Sequence, residues 1–376
     1  MKVALLRIMP QENWRSIEVY SERLLGALRA VAAEELELEE VQVQAWSWAD
    51  RRWPTPYGRR ASLRTLGLYL SRWVRYPLAL RRVRADVYHI LDNSYGHLAF
   101  FLPSRKTVVT LHLGPPRALR AWNPAGPAMA LYTLAARGTL RAGRIIAVSD
   151  YTKQEWVATL GYPAERMQVV HHGVDPVFRP LAEAERARWR EQLLKEKDRY
   201  LLLHVGHSAG RKNVEALYRA LAILRRGGLA VRLLRIGRGP APAQERLIAE
   251  LGVGEAITHI PFIPNAELPP YYAAADAFVF PSLYEGFGIP LIEAMACGAP
   301  VVCTDWPLFR EVCGEAALYA DARRPEALAE AIARVLTIPS LAASLRAQGL
   351  ARAAHFTWER AARETWAVYR RIAEEA

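Results

Sequence analysis

AFVFPSLYEGFGIPLIEAMACGAPVVCTD, residues 277–305, parses as a strand, a glycine-containing loop, a helix and a second strand. Gly286 and Gly288 allow the backbone to approach a ligand closely, and Pro290 suits the first turn of the helix that follows. Gly298 sits where it can close that helix at its C′ position. The loop and helix start then offer free N–H groups and the positive end of a dipole, which suits phosphate or sugar oxygens. Two carboxylates frame the unit: Glu285 precedes the turn and Glu293 lies one turn into the helix. A carboxylate there accepts bidentate hydrogen bonds from vicinal hydroxyls, as in ribose recognition; the plainer alternative is that Glu293 complements the helix dipole and Glu285 is solvated.

Outward from this unit, short β-rich apolar runs alternate with helical patterns along the whole chain. The expected strands are 2–8, 41–46, 86–91, 107–112, 144–148 and 167–171, then 200–205, 231–236, 256–260, 277–281, 300–303 and 317–319. Such alternation predicts parallel sheets covered on both faces, and two sets of six predict an α/β chain of two doubly wound, Rossmann-like domains. The break falls near HHGVDPVFRP, residues 171–180, where Gly173, Pro176 and Pro180 interrupt the pattern. The expected division is a first domain over 1–175, a second over 176–356 and a final helix over 357–376, opened by Thr357 as N-cap and packing back on the first domain. Ligands of open parallel sheets bind beyond the C-terminal strand ends, so the expected site is a cleft between the domains.

A chain of 376 residues exceeds one ordinary core, and 52% apolar with 23% charged residues is a globular composition. MKVALLRI at the start reads as a strand rather than a signal segment, and no apolar run is long enough to span a bilayer, so the expected location is the cytoplasm. Cys297, Cys303 and Cys313 lack zinc spacing and have apolar flanks, which predicts buried reduced thiols rather than a metal or redox site. The formal charge of +12 is unevenly placed: residues 1–175 carry 24 Lys and Arg against 15 Asp and Glu, the remainder 26 against 23. Residues 51–84 hold ten arginines and no acid. That stretch predicts either an ordinary amphipathic helix with solvated arginines or a helix lying on an anionic membrane. Nucleic acid is disfavoured as a partner, since no zinc-finger or RNA-recognition motif accompanies the charge.

The spacing from Glu285 to Glu293 in EGFGIPLIE resembles the E-x7-E signature of glycosyltransferase family four, whose fold is GT-B. Further similarities follow in order: VSDYTKQE at 148–155, HHGVDPVF at 171–178, HVGHSAGRKN at 204–213 and GEAALYADARRPEALAEAI at 314–332. The resemblance implies that Glu293 holds the ribose hydroxyls of a nucleotide. It implies that Glu285, with the amides of Phe287 and Gly288, holds the donor sugar, and that Arg211 and Lys212 bind the diphosphate. Gly206, Gly286 and Ile289 complete the implied donor-binding set. The residues support part of this independently. Gly206 and Gly210 bracket a turn leading to a helix expected near Lys212, and only six of the fifty basic residues are lysines. A compact ammonium beside a planar guanidinium engages two phosphates, whereas cations at a bare helix start oppose its dipole.

Cleaving a sugar–phosphate bond leaves charge on a nucleoside diphosphate. None of the nine aspartates lies two positions from another, so the Asp-x-Asp metal motif is missing, and neither a metal nor another cofactor is expected. Arg211, Lys212 and the helix start near Gly288 are the expected replacement. The resemblance implies retention of anomeric configuration by front-face attack, with the leaving phosphate as base. It also implies that His112, at the end of the strand TVVTLH, contacts the donor sugar; read alone, that histidine is equally a structural one. Ser149 is a cleft hydroxyl or, more simply, an N-cap. Two departures concern the acceptor. The loop IMPQENWRSIEVY keeps Trp14 and Arg15 where relatives have glycines, and Leu113 stands where many have aspartate after the histidine. The expectation is a metal-independent hexosyltransferase acting on a glycan or lipid-linked acceptor. The RKN spelling resembles that of mannosyltransferases in the family, which makes GDP-mannose the first expected donor and a UDP-hexose the next. The rivals are a non-transferring nucleotide-sugar-binding subunit and an epimerase or hydrolase on the same fold.

Overall fold

The computed structural model describes residues 1–46, 66–120, 126–194 and 199–375. By contact the chain divides into two units, Met1–Gly173 with Trp358–Ala376, and Val174–Thr357. Each contains one six-stranded, wholly parallel sheet.

In the first unit the strands are β1 Lys2–Leu6, β2 Glu37–Val41, β3 Val87–Ile90, β4 Thr107–Leu111, β5 Arg144–Ala147 and β6 Met167–Val169. Their order is β2-β1-β3-β4-β5-β6, so the direction of winding reverses between β1 and β3. In the second unit they are β7 Tyr200–Val205, β8 Val231–Ile236, β9 Ile257–Ile260, β10 Ala277–Phe280, β11 Val301–Thr304 and β12 Ala317–Ala320. The order β9-β8-β7-β10-β11-β12 is the dinucleotide-fold order, with its reversal between β7 and β10. The strands are apolar runs because both faces are covered: β4 and β10 are buried at every position.

One expected strand is misplaced. The expected strand is 41–46, but the observed edge strand is Glu37–Val41, paired with β1 from Lys2↔Glu37 to Leu6↔Val41. Local propensity reads the acidic run as unfavourable for a strand. Cations on and just beyond β1 offset it, with Lys2 3.0 Å from Glu39 and Arg7 2.8 Å from Glu40.

The second unit's core gathers the inward faces of β7, β8 and β10 with the helices Val214–Arg226 and Pro325–Thr337, including Leu217, Leu221, Leu328 and Ile332. In the first unit, one sheet face packs against the helices Arg15–Val31 and Trp358–Glu374 through Leu24, Leu28, Trp366, Tyr369 and Ile372. Tyr369 also reaches the sheet interior, its hydroxyl 2.6 Å from His89 Nδ1. No single helix among the described residues is long and apolar enough to cross a membrane. All three cysteines are free and buried.

Candidate active site

In the second unit the loops after β7 and β10 flank the winding reversal, where ligands of such sheets bind. The loop after β7 ends in a short 3-10 turn, Gly210–Lys212. The helix then begins at Val214, near Lys212 as expected, after Asn213 in a left-handed conformation at φ 52°. The Asn213 side-chain amide donates to Ala322 O at 2.7 Å and to Pro281 O at 3.3 Å, which fixes this turn against the loops after β12 and β10. The amide of Leu283 donates to Arg211 O at 2.7 Å, a backbone link between the loops after β7 and β10.

These links bring Arg211, Lys212 and Glu285 together. Arg211 Nη1 donates to Glu285 Oε2 at 2.7 Å and to Tyr284 O at 2.8 Å, and Lys212 Nζ lies 2.5 Å from Glu285 Oε1. Lys212 and Glu285 are both buried, and the ammonium lies 5.1 Å from the Phe280 ring centre. Burial works against the ionised Glu285, but Lys212 and Arg211 more than offset it and hold the carboxyl below its usual range. Burial also draws the Lys212 ammonium down, against the pull of Glu285. Glu285 therefore organises the two cations. An ionised carboxylate has about four acceptor positions, so two remain for hydroxyl donors.

Glu293 lies in the helix Ile289–Ala296 and is buried. Gly288 caps this helix at φ 99°, where a side chain would be strained and a Cβ would come within 2.9 Å of Leu291. Ile289 and Pro290 are half-buried at the first turn, and Phe287 is buried with its ring 5.7 Å from that of Phe356. Glu293 Oε2 accepts from the Tyr272 hydroxyl at 2.8 Å. Burial raises the Glu293 carboxyl to about 7; the Tyr272 bond moderates the rise and the Asp175 charge adds to it. A carboxylate kept in an apolar wall at this cost has the character of a ligand-binding group.

Several residues of this region carry no sequence signal. His204 Nδ1 faces Val279 O at 3.0 Å, so that nitrogen carries the proton and Nε2 is a buried acceptor with no partner among the described residues. Burial lowers this imidazole to about 4, which keeps it neutral. Ser282 Oγ and Thr304 Oγ1 are likewise buried without partners among the described residues. All three lie at or just beyond the C-terminal ends of β7, β10 and β11. Orphaned buried polar atoms are uncommon in native proteins, and this clustering marks a polar ligand surface. Beside it, the Ser208 hydroxyl, 2.8 Å from Arg238 O and 2.7 Å from Gly239 O, ties the loops after β7 and β8. The Gly206 amide donates to Ile236 O at 2.9 Å, and a Cβ on Gly237 would lie 2.1 Å from Gly206 O.

The first unit holds the other candidates. His112 follows β4, its amide donating to Asn93 Oδ1 at 3.0 Å and its ring Nε2 to Leu91 O at 2.9 Å. The ring stacks on His172 at 5.3 Å and meets the edge of Tyr20 at 4.4 Å. Burial lowers its pKa, so His112 is a neutral imidazole with Nδ1 as acceptor. Ser149 caps the helix Asp150–Leu160, accepting from the Thr152 amide at 3.0 Å. Trp14 is 39% exposed at the start of the helix Arg15–Val31, and Arg15 is exposed as its first residue. Of the basic stretch 51–84, residues 51–65 lie outside the described residues.

Two parallel sheets of this kind are shared with solved structures. The chain superposes with a TM-score of 0.77 and 23% identity on sucrose-phosphate synthase from Thermosynechococcus elongatus, covering 100% of both chains. Against Anabaena HepE in complex with UDP and glucose the TM-score is 0.72 at 16% identity, covering 100% of this chain and 99% of the other. This fold is GT-B. Residues 185–352 match the family described as Glycosyl transferases group 1, and residues 31–178 match Glycosyltransferase Family 4. The O-antigen chain mannosyltransferase B of Escherichia coli is 30% identical over 301 residues, 79% of this chain and 77% of that protein. The chain belongs to glycosyltransferase family four and is a glycosyltransferase.

Proposed function

We propose that this enzyme transfers a hexosyl group from a nucleoside-diphosphate sugar to a glycan or lipid-linked acceptor, with retention and without a metal ion. The observation that carries this reading is the joining of Arg211 and Lys212 to Glu285 at the winding reversal, with Glu293 on the following helix. Two cations beside a helix start are suited to the charge that develops on a leaving diphosphate. The acceptor capacity remaining on Glu285, with the Phe287 and Gly288 amides, suits the sugar's hydroxyls. Glu293 suits the ribose. His112, as a neutral acceptor, would take a hydroxyl of the transferred sugar. Retention follows from the family resemblance, with the leaving phosphate taking the acceptor proton.

GDP-mannose is the first donor, supported by the name of the Escherichia coli relative, and a UDP-hexose is the second, supported by HepE with UDP and glucose. Thermal shifts with UDP-, GDP- and ADP-sugars identify the donor, and Glu293→Ala should abolish the ligand-induced shift, read against that variant's own unliganded melting point. Full retention of the shift by this variant would overturn the ribose assignment. Transfer should persist in EDTA. Rapid donor turnover without acceptor would point to a hydrolase or epimerase instead, and donor binding with no transfer to any acceptor would point to a binding subunit.

A further inference from the structure

Strand β8 buries a cation that no acid balances. Arg235 is fully buried there, level with His204 on β7 and His259 on β9. Its Nη2 donates to Arg238 O at 2.7 Å and to the Ser208 hydroxyl, both neutral acceptors. Its Nε and Nη1 are buried without a hydrogen-bond partner, and it makes no ion pair among the described residues. The ionisable group that acts on it is the Tyr218 phenol, which burial pushes up and keeps protonated at neutral pH. Arginine holds its proton inside proteins, so this is a full positive charge of the kind that costs stability unless paired.

The charge lies beneath the loops after β7 and β8. Ser208 Oγ accepts from Arg235 and is within reach of Arg238 O and Gly239 O, so one hydroxyl joins the guanidinium to both loops. A Cβ on Gly206 would lie 3.3 Å from His204 Nε2 and 3.9 Å from Lys212 Cδ, so the imidazole and the lysine side chain meet at this glycine. Burial lowers His204 most, and both Arg235 and Lys212 lower it further. In the same loop, half-buried His207 is lowered by burial and then by Lys212, Arg211 and Arg238. Four cations thus act on the loop after β7 and only Glu285 opposes them.

We propose that Arg235 is a positioning residue of the donor site, a third cation set beneath the Ser208 turn whose unbalanced charge is relieved by the diphosphate of a bound nucleotide. This rests on the donor reading given above. Arg211 and Lys212 are both tied to Glu285, which cancels part of their charge. Arg235 has no such counter-charge, so its field is left for the ligand. A residue that only braced the loop would, on removal, lose stability and all ligand binding together. An unbalanced charge does the reverse: it costs stability in the free protein and returns it when an anion binds.

The test is calorimetry and thermal melting of the whole protein with GDP, UDP, ADP and the matching nucleosides. Arg235→Met keeps the side chain's reach and loses its charge. It should weaken the preferred diphosphate about tenfold, leave the matching nucleoside within about twofold, and melt at or above the wild-type temperature without ligand. Arg235→Lys keeps the charge and should bind the diphosphate within about threefold of wild type. Equal losses for diphosphate and nucleoside in Arg235→Met would overturn the proposal, as would unchanged diphosphate affinity or a lower unliganded melting point. So would a loss of about tenfold in Arg235→Lys. If none of the three diphosphates binds the wild type, the donor reading fails instead. Inorganic pyrophosphate then decides on Arg235: it should stabilise the wild type and not Arg235→Met, and any other pattern sinks the proposal.

Discussion

The two sheets of this chain reverse their winding at different places, and the two reversals are furnished in opposite ways. In the second unit, the loops beside β7 and β10 hold two cations, two buried carboxylates and a helix start opened by Gly288. In the first unit, the loop after β1 keeps Trp14 and is held by the Glu12–Arg72 ion pair. Behind it the imidazoles of His112 and His172 are both driven towards neutrality by burial. A charged, partly unsatisfied reversal suits a charged, well-defined ligand. A neutral one lined by aromatic rings suits hydroxyls and apolar surface. One architecture thus presents two differently furnished sets of loops, and the difference lies in the loops rather than in the sheets.

The largest expected effect tests that asymmetry directly. Lys212→Ala should lower kcat by about 10²–10³-fold, the size seen when one preorganised stabilising donor is removed. His112→Ala should cost less. A greater loss at His112 than at Lys212, measured by steady-state transfer, would reverse the assignment of charge stabilisation to the second unit.

Next comes the pH dependence of Glu293. Its carboxyl rises from 4.5 to about 7 on folding, so the native state binds a proton that the unfolded state has released. The Glu293 contribution to stability should be flat below about pH 4.5, fall as pH rises towards 7, and lose up to about 3 kcal/mol in all. Glu293→Gln should remove this dependence, which denaturant titrations across the range will show. Donor affinity should move the other way, strengthening as pH passes 7 and the carboxylate ionises. Tyr272→Phe sharpens the same point: without the phenol bond the Glu293 carboxyl should rise further, and donor Kd at pH 7 should weaken by about 1–2 kcal/mol. Calorimetry with the preferred donor measures it.

The smallest effect belongs to the first unit. Ser149→Ala should cost about 1 kcal/mol of stability, as loss of an N-cap does, with donor binding unchanged. A change in kcat larger than the stability loss explains would return Ser149 to the substrate.

Alternation and punctuation in the amino-acid sequence determined two six-stranded α/β halves, because strand and helix periods are local properties of the chain. The same local reading identified the loop around Gly286–Gly288 and the adjacent pair Arg211 and Lys212, since turn glycines and an ordered motif survive in linear order. It misplaced β2, where cations near β1 make an acidic edge strand tolerable, and it gave no sign of the left-handed Asn213 before the helix at Val214, which contacts with Pro281 O and Ala322 O hold in place. It was silent on Tyr272, His204, Ser282 and Thr304, whose roles depend on neighbours tens of residues away. Strand order, the pairing of Glu285 with two cations and the raised Glu293 carboxyl were decided by the tertiary structure. They arise only when distant segments meet and exclude water, since desolvation and Coulomb interaction depend on separation in space rather than along the chain.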